Sequence, residues 1–232
     1  MTFADRIIEF NHNLSLGDIE LPEGIRALNP FRGNNEGEVD RIMSEFYKKY
    51  YDDDNLRKMA LGINPGRFGA GATGIPFTDT KRLKSECDIE PPEFDTHEMS
   101  SVFIYDVINK YSNPADFYSK FYFNSICPLG FVKVKDNGKR VNYNFYDDAV
   151  IRDAVEPFIL DTLRQQIGLG CSAEKAIILG SGKNFDFAKK FNDKHGLFGE
   201  LIPLEHPRYI MQYKRKEYDK YIDKYIDTFK NL

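Results

Sequence analysis

Apolar residues recur along this chain with two different periods, and the switches between them mark out the elements. Phe3, Ile7, Ile8 and Phe10 fall on one side of a helix predicted over Phe3 to Asn13. Further helices are predicted over Gly37 to Tyr51, over Ala149 to Ile167 with Gly168 and Gly170 behind it, and over Phe185 to Asp193. Asn113-Pro114 reads as the cap and first turn of another, while Met99 to Tyr111 fits either a helix or a mixed segment. Tyr218, Tyr221, Ile222, Tyr225, Ile226 and Phe229 give Lys214 to Asn231 a helical apolar stripe that belongs in a core. Shorter apolar runs over Arg57 to Ile63, Phe121 to Ile126, Lys175 to Leu179 and Gly199 to Leu204 predict strands. Asp136-Asn137-Gly138 marks a hairpin turn inside Val132 to Asn144, and Leu21 to Asn35 and Ser85 to His97 read as loops. Strands alternating with helices predict an α/β fold: three layers, α/β/α, around a mostly parallel four-stranded sheet. One domain spanning 1–232 is expected, with a helical N-terminal extension over about the first 55 residues.

Composition narrows the classes. With 41% hydrophobic residues among 232, the chain can bury one substantial core. No run approaches the roughly 18 apolar residues of a membrane span, and the N-terminus lacks a signal-peptide core, so a cytoplasmic monomer with no membrane partner is expected. Cys87, Cys127 and Cys171 are too dispersed for a disulfide framework, and His12, His97, His195 and His206 lack metal-ligand spacing. The net charge of −4 argues against bulk affinity for nucleic acid without excluding it. Lys81-Arg82-Leu83-Lys84 and Lys214-Arg215-Lys216 are local basic exceptions.

The densest chemistry follows the first strand. Met59-Ala60-Leu61-Gly62-Ile63 runs into Asn64-Pro65-Gly66, and four glycines fall between Gly66 and Gly74 before Pro76-Phe77. Glycines let a backbone approach a ligand closely, and open α/β sheets bind ligands at this end of their strands. Gly69-Ala70-Gly71-Ala72-Thr73-Gly74 matches the G-x-G-x-x-G of dinucleotide sites, but Pro76 disfavours the helix that such a site needs to hold a pyrophosphate. An NAD(P)-binding oxidoreductase stays open as an alternative. So does a nucleic-acid-binding module without catalysis.

Asn64, Asn124 and His206 stand at three strand ends, and their surroundings resemble the uracil-DNA glycosylase superfamily, above all its single-strand-selective monofunctional (SMUG-type) branch and that branch's bacterial relatives. Gly62-Ile63-Asn64-Pro65-Gly66, Phe68-Gly69 and Thr73-Gly74-Ile75-Pro76-Phe77 match the branch's first motif in order and spacing. Asn124 before Cys127-Pro128-Leu129 resembles its base-reading strand, with two intervening residues where the branch has one. His206-Pro207 resembles its catalytic histidine motif, but Arg208-Tyr209-Ile210-Met211-Gln212-Tyr213 replaces the usual Ser, Pro and Asn.

The resemblance implies a monofunctional glycosylase that starts base excision repair, acts on DNA containing uracil or a modified uracil, and uses neither metal nor other cofactor. A base inside a duplex is out of reach, so it is flipped into a pocket. Phe77 would stack on it, Ile63 and Gly66 would line it, and Asn124 would offer an amide to N3–H and O4. Asn64 would orient the attacking water, and His206 would donate to O2 as negative charge develops there. Arg208, Tyr209, Ile210, Met211 and Lys214 would form the DNA-facing loop, bulky residues filling the hole and cations meeting phosphates. A Tyr takes the Gly66 position in the uracil-restricted branch, so Gly66 implies open space beside C5 and activity on 5-substituted uracils.

Overall fold

In the computed structural model, which describes residues 1–232, helix α1 (Phe3–Asn13) begins at Thr2, whose hydroxyl accepts from Asp5 N–H while the Asp5 carboxylate takes the Thr2 N–H. Strand β1 (Ile25–Leu28), helix α2 (Glu36–Tyr51) and strand β2 (Arg57–Gly62) follow. Beyond β2 lie α3 (Ala70–Thr73), α4 (Thr80–Ser85), α5 (Met99–Tyr111) and α6 (Pro114–Tyr118), then β3 (Phe121–Ser125), β4 (Gly130–Val134) and β5 (Arg140–Tyr143). The last third is α7 (Ala149–Gly168), β6 (Cys171–Leu179), α8 (Lys183–His195), β7 (Glu200–Leu204), α9 (Pro207–Tyr213) and α10 (Tyr218–Lys230).

The four expected strands form one all-parallel sheet in the order β3-β2-β6-β7. Its strands read as continuous apolar runs because both faces are covered. On one face Tyr122 meets the rings of Phe3 and Tyr51; on the other Phe121 and Phe123 pack against Phe117 and Phe229. The apolar stripe of α10 lies in the core as its spacing predicts. The first two helices share that core: Phe3, Ile7, Ile42 and Phe46 are buried in it. Arg57, fully buried at the start of β2, donates to Asp53 and to the Tyr50 and Tyr118 carbonyls, with its guanidinium 4.8 and 5.0 Å from the Phe3 and Tyr51 rings. A buried guanidinium is tolerated when its donors are satisfied in this way.

Two segments differ from expectation. Leu21 to Asn35 is not all loop: Ile25–Leu28 pairs with β4, and β4 pairs with β5, giving a second, antiparallel sheet in the order β1-β4-β5. Four residues with two exposed are too short for a visible alternation. The segment after His206 is the helix α9, not a loop. Pro207 takes the first helical position, where its missing N–H costs nothing.

Candidate active site

At the C-terminal end of the parallel sheet lies a cavity of about 300 Å³. Gly62 to Gly66, Pro76, Phe77, Ser125 and His206 line it from the strand ends. Asn142 and Asn144 come from the antiparallel sheet, Glu98 from the start of α5, and Arg208, Tyr209, Gln212 and Tyr213 from α9. The structure therefore brings together seven of the expected residues: Ile63, Asn64, Gly66, Phe77, His206, Arg208 and Tyr209.

Asn64 sits two residues past β2, and its amide is held by main chain. Nδ2 donates to the Tyr143 carbonyl at 3.2 Å and Oδ1 accepts from Phe145 N–H at 3.3 Å. One amide proton and one lone pair are left for a ligand or water.

His206 caps α9. Its Nδ1 accepts from the Arg208 N–H at 3.1 Å, so the neutral ring carries its proton on Nε2. Burial, helped by the nearby Arg208 guanidinium, holds the imidazole down at about 4, neutral at physiological pH.

Phe77 lies 6.2 Å from His206, centroid to centroid, and 5.5 Å from Phe123. Its φ of +54° is the left-handed region, which a bulky side chain occupies only under constraint. Gly62 makes room for the ring, since a Cβ there would stand 3.3 Å from Phe77 Cζ.

Three expectations fail on geometry. Asn124 does not line the cavity: Nδ2 donates to the buried Tyr122 hydroxyl at 2.6 Å, and Oδ1 accepts from Ser125 N–H at 2.8 Å. Side chains alternate along β3, so Asn124 shares the Tyr122 side and Ser125 faces the cavity. Ile210 and Met211 are buried, and only Tyr209 and Tyr213 stand exposed on α9, so the first two cannot wedge into DNA. Lys214 lies beyond the cavity wall, with Nζ 3.1 Å from Glu217 Oε1.

The space at Gly66 is also not open. A Cβ there would stand 3.2 Å from Asn142 Nδ2 and 3.6 Å from Glu98 Oε1. Burial pushes the Glu98 carboxyl up to about 7, opposed by Arg208. Behind it Asp79, whose side chain is fully buried, accepts from the Glu98 and Arg82 N–H groups and from Ser101 Oγ. Burial alone would raise Asp79, but those bonds hold its carboxyl below the usual range.

Sequence reasoning missed Glu98, Ser125, Asn142, Asn144, Gln212 and Tyr213. Strand alternation past Phe123 pointed to Ser125, and Asn142 and Asn144 are two apart in the expected hairpin; nothing distinguished Glu98 in its polar connection.

The glycine match is structural. The helix after Gly69 has only four residues, and a Cβ at Gly71 would stand 2.7 Å from the Gly66 carbonyl oxygen, so close backbone packing accounts for the glycine. A family model for the uracil DNA glycosylase superfamily matches residues 48–230. The crystal structure of wild-type Pedobacter heparinus SMUG2 is 48% identical, with a TM-score of 0.96 over 100% of this chain and 98% of that one. No curated protein matches the chain. An oxidoreductase is not favoured by these likenesses. No helix is long and apolar enough to cross a membrane. Sequence, fold and motif positions agree: the chain belongs to the uracil-DNA glycosylase superfamily, as a relative of its SMUG type.

Proposed function

We propose that this glycosylase hydrolyses the N-glycosidic bond of uracil in DNA, and of uracil substituted at C5, through Asn64 and His206. The observation that carries the mechanism is the tautomer of His206. With Nδ1 engaged by Arg208 N–H, a neutral imidazole has its Nε2 proton free to donate. Bond cleavage leaves negative charge on the base, and a fixed donor at O2 stabilises that charge as it develops. Phe77 stacks on the flipped ring, and Asn64, anchored to the 143–145 main chain, orients water toward the sugar cation. The Ser125 hydroxyl takes over the edge contact expected of Asn124; a hydroxyl both donates and accepts, so it adapts to the base edge.

Outside the cavity, Tyr209 and Tyr213 form an exposed aromatic pair with centroids 5.5 Å apart on α9, suited to replace the stacking lost when a base leaves. Arg208 and Lys183 face the phosphates on either side. All of these residues come from one chain, in keeping with a monomer, and three buried free cysteines suit a reducing cytoplasm.

The test is a labelled oligonucleotide with a single uracil, incubated with the protein and then treated with alkali. Strand cleavage at the uracil is expected. Tight binding without cleavage would make this a binding module, and neither outcome would sink the substrate assignment itself.

A further inference from the structure

Glu98 is the one carboxylate on the cavity wall, and its oxygens accept no hydrogen bond from the protein. Its main chain is nonetheless fixed. The N–H donates to Asp79 Oδ2 at 2.8 Å, and the carbonyl accepts from Ser101 Oγ at 2.6 Å. The motif loop is shaped around the carboxyl: a Cβ at Gly69 would stand 2.0 Å from Oε2. Beside it lies Asn142, whose Oδ1 is occupied by Arg67 N–H at 3.2 Å, leaving Nδ2 as its free end. A carboxyl and an amide donor thus share one wall next to Gly66, neither satisfied. Unpaired polar groups in a recess are costly, and a ligand that pairs them recovers that cost.

We propose that Glu98 and Asn142 read the substituent at C5 of the flipped pyrimidine, favouring one that hydrogen-bonds over a plain methyl. This rests on the proposed function, with O2 against His206. C5 lies para to C2 on the ring, so a base in that pose turns C5 toward the wall across from His206. A 5-hydroxymethyl group donates its O–H to the Glu98 carboxylate and accepts from Asn142 Nδ2. A methyl group leaves both unpaired. A 5-formyl oxygen only accepts, so it suits Asn142 but opposes an ionised Glu98, and it gains a donor when Glu98 is protonated.

That protonation falls near neutrality, because burial holds the carboxyl up to about 7. The charged and titratable groups around it are Arg208 on α9, Asp79 with its partners Arg82 and His97, and His206. Arg67, on the glycine loop, turns its guanidinium over the Phe68 ring at 4.1 Å.

The experiment measures kcat/KM on single-stranded oligonucleotides carrying uracil, 5-hydroxymethyluracil or 5-formyluracil, from about pH 6 to about pH 8, near the raised carboxyl value. In the wild type the formyl-to-hydroxymethyl ratio is expected to fall about tenfold across that range, the size of one gained or lost hydrogen bond. In Glu98→Gln the ratio should be flat. Titration intrinsic to the bases, or arising from His97 or His206, would persist in the variant, so an equal slope in both proteins overturns the proposal. A flat ratio in the wild type overturns it without any variant, which covers misfolding of Glu98→Gln. Uracil separates the two levels: no uracil excision by the wild type defeats the proposed function, whereas uracil excision with a flat ratio defeats only this inference.

Discussion

Two asparagines end up at neighbouring strand ends with opposite fates. Asn64 follows β2 and Asn124 lies within β3, where it pairs in register with Leu61. Leu61 is a core residue, and adjacent partners in a sheet point to the same side. Asn124 is thereby committed to the core, where both ends of its amide find partners within the protein. Asn64 lies past the last paired residue, in a turn that Pro65 fixes, and its amide keeps a proton and a lone pair unspent. What separates a structural polar residue from a functional one here is spare hydrogen-bonding capacity facing the cavity.

The sharpest way to break the contrast is to truncate both. Asn64→Ala should lower single-turnover uracil excision by about 10³-fold, within the range for losing a group that prepares the nucleophile. Its melting temperature should stay near that of the wild type. Near-normal excision would remove Asn64 from the chemistry.

His206→Ala should slow the excision step by about 10²-fold as a lost oxyanion donor, with DNA affinity preserved. Since the imidazole titrates at about 4, the acid limb of excision in a Glu98→Gln background should lie near that value. A limb near the ordinary histidine value would mean that the ring is not shielded.

Ser125→Ala and Asn124→Ala then test the pleat directly. Ser125→Ala should cost about tenfold in kcat/KM, the worth of one hydrogen bond, with little change in stability. Asn124→Ala should instead lose about 1–2 kcal/mol of stability by stranding the Tyr122 hydroxyl and Ser125 N–H. Urea unfolding and steady-state rates on both proteins decide it; the reverse pattern would put Asn124 back at the base edge.

Glu98 carries spare capacity to its extreme, and pH exposes it. Its folded value of about 7 lies above the ordinary 4.5, so the folded state holds the proton longer. That contribution to stability is present below about 4.5 and is lost as pH rises through about 7. The stability of Glu98→Gln relative to wild type should therefore grow by about 2 kcal/mol between pH 5 and pH 8. A constant difference in urea unfolding would show an ordinary carboxyl.

Much of this was legible in the sequence because it rests on local pattern. Phe3–Asn13 begins and ends where its apolar spacing and Thr2 cap say, and the four parallel strands coincide with the four apolar runs. The motif around Asn64 and the His206-Pro207 pair fixed the chemistry by residue order. What escaped depends on direction or on distant pairing. Asn124 and Ser125 differ only in which face of one strand they occupy, and β1 exists only because β4 lies beside it. Tyr209 and Ile210 are adjacent, yet α9 turns one outward and buries the other. Glu98 reaches the cavity from a polar connection with no periodicity to read.

The fit between Gly69 and Glu98 also constrains how this lineage can diverge. Any side chain at 69 begins with a methyl group 2.0 Å from a carboxyl oxygen, so it must expel that carboxyl from its seat. The two positions are therefore epistatic: a change at 98 can be accepted on its own, whereas growth at 69 is tolerated only after 98 has shrunk or swung away. Descendants that enlarge residue 69 first would shed whatever the carboxyl does in the same mutational step.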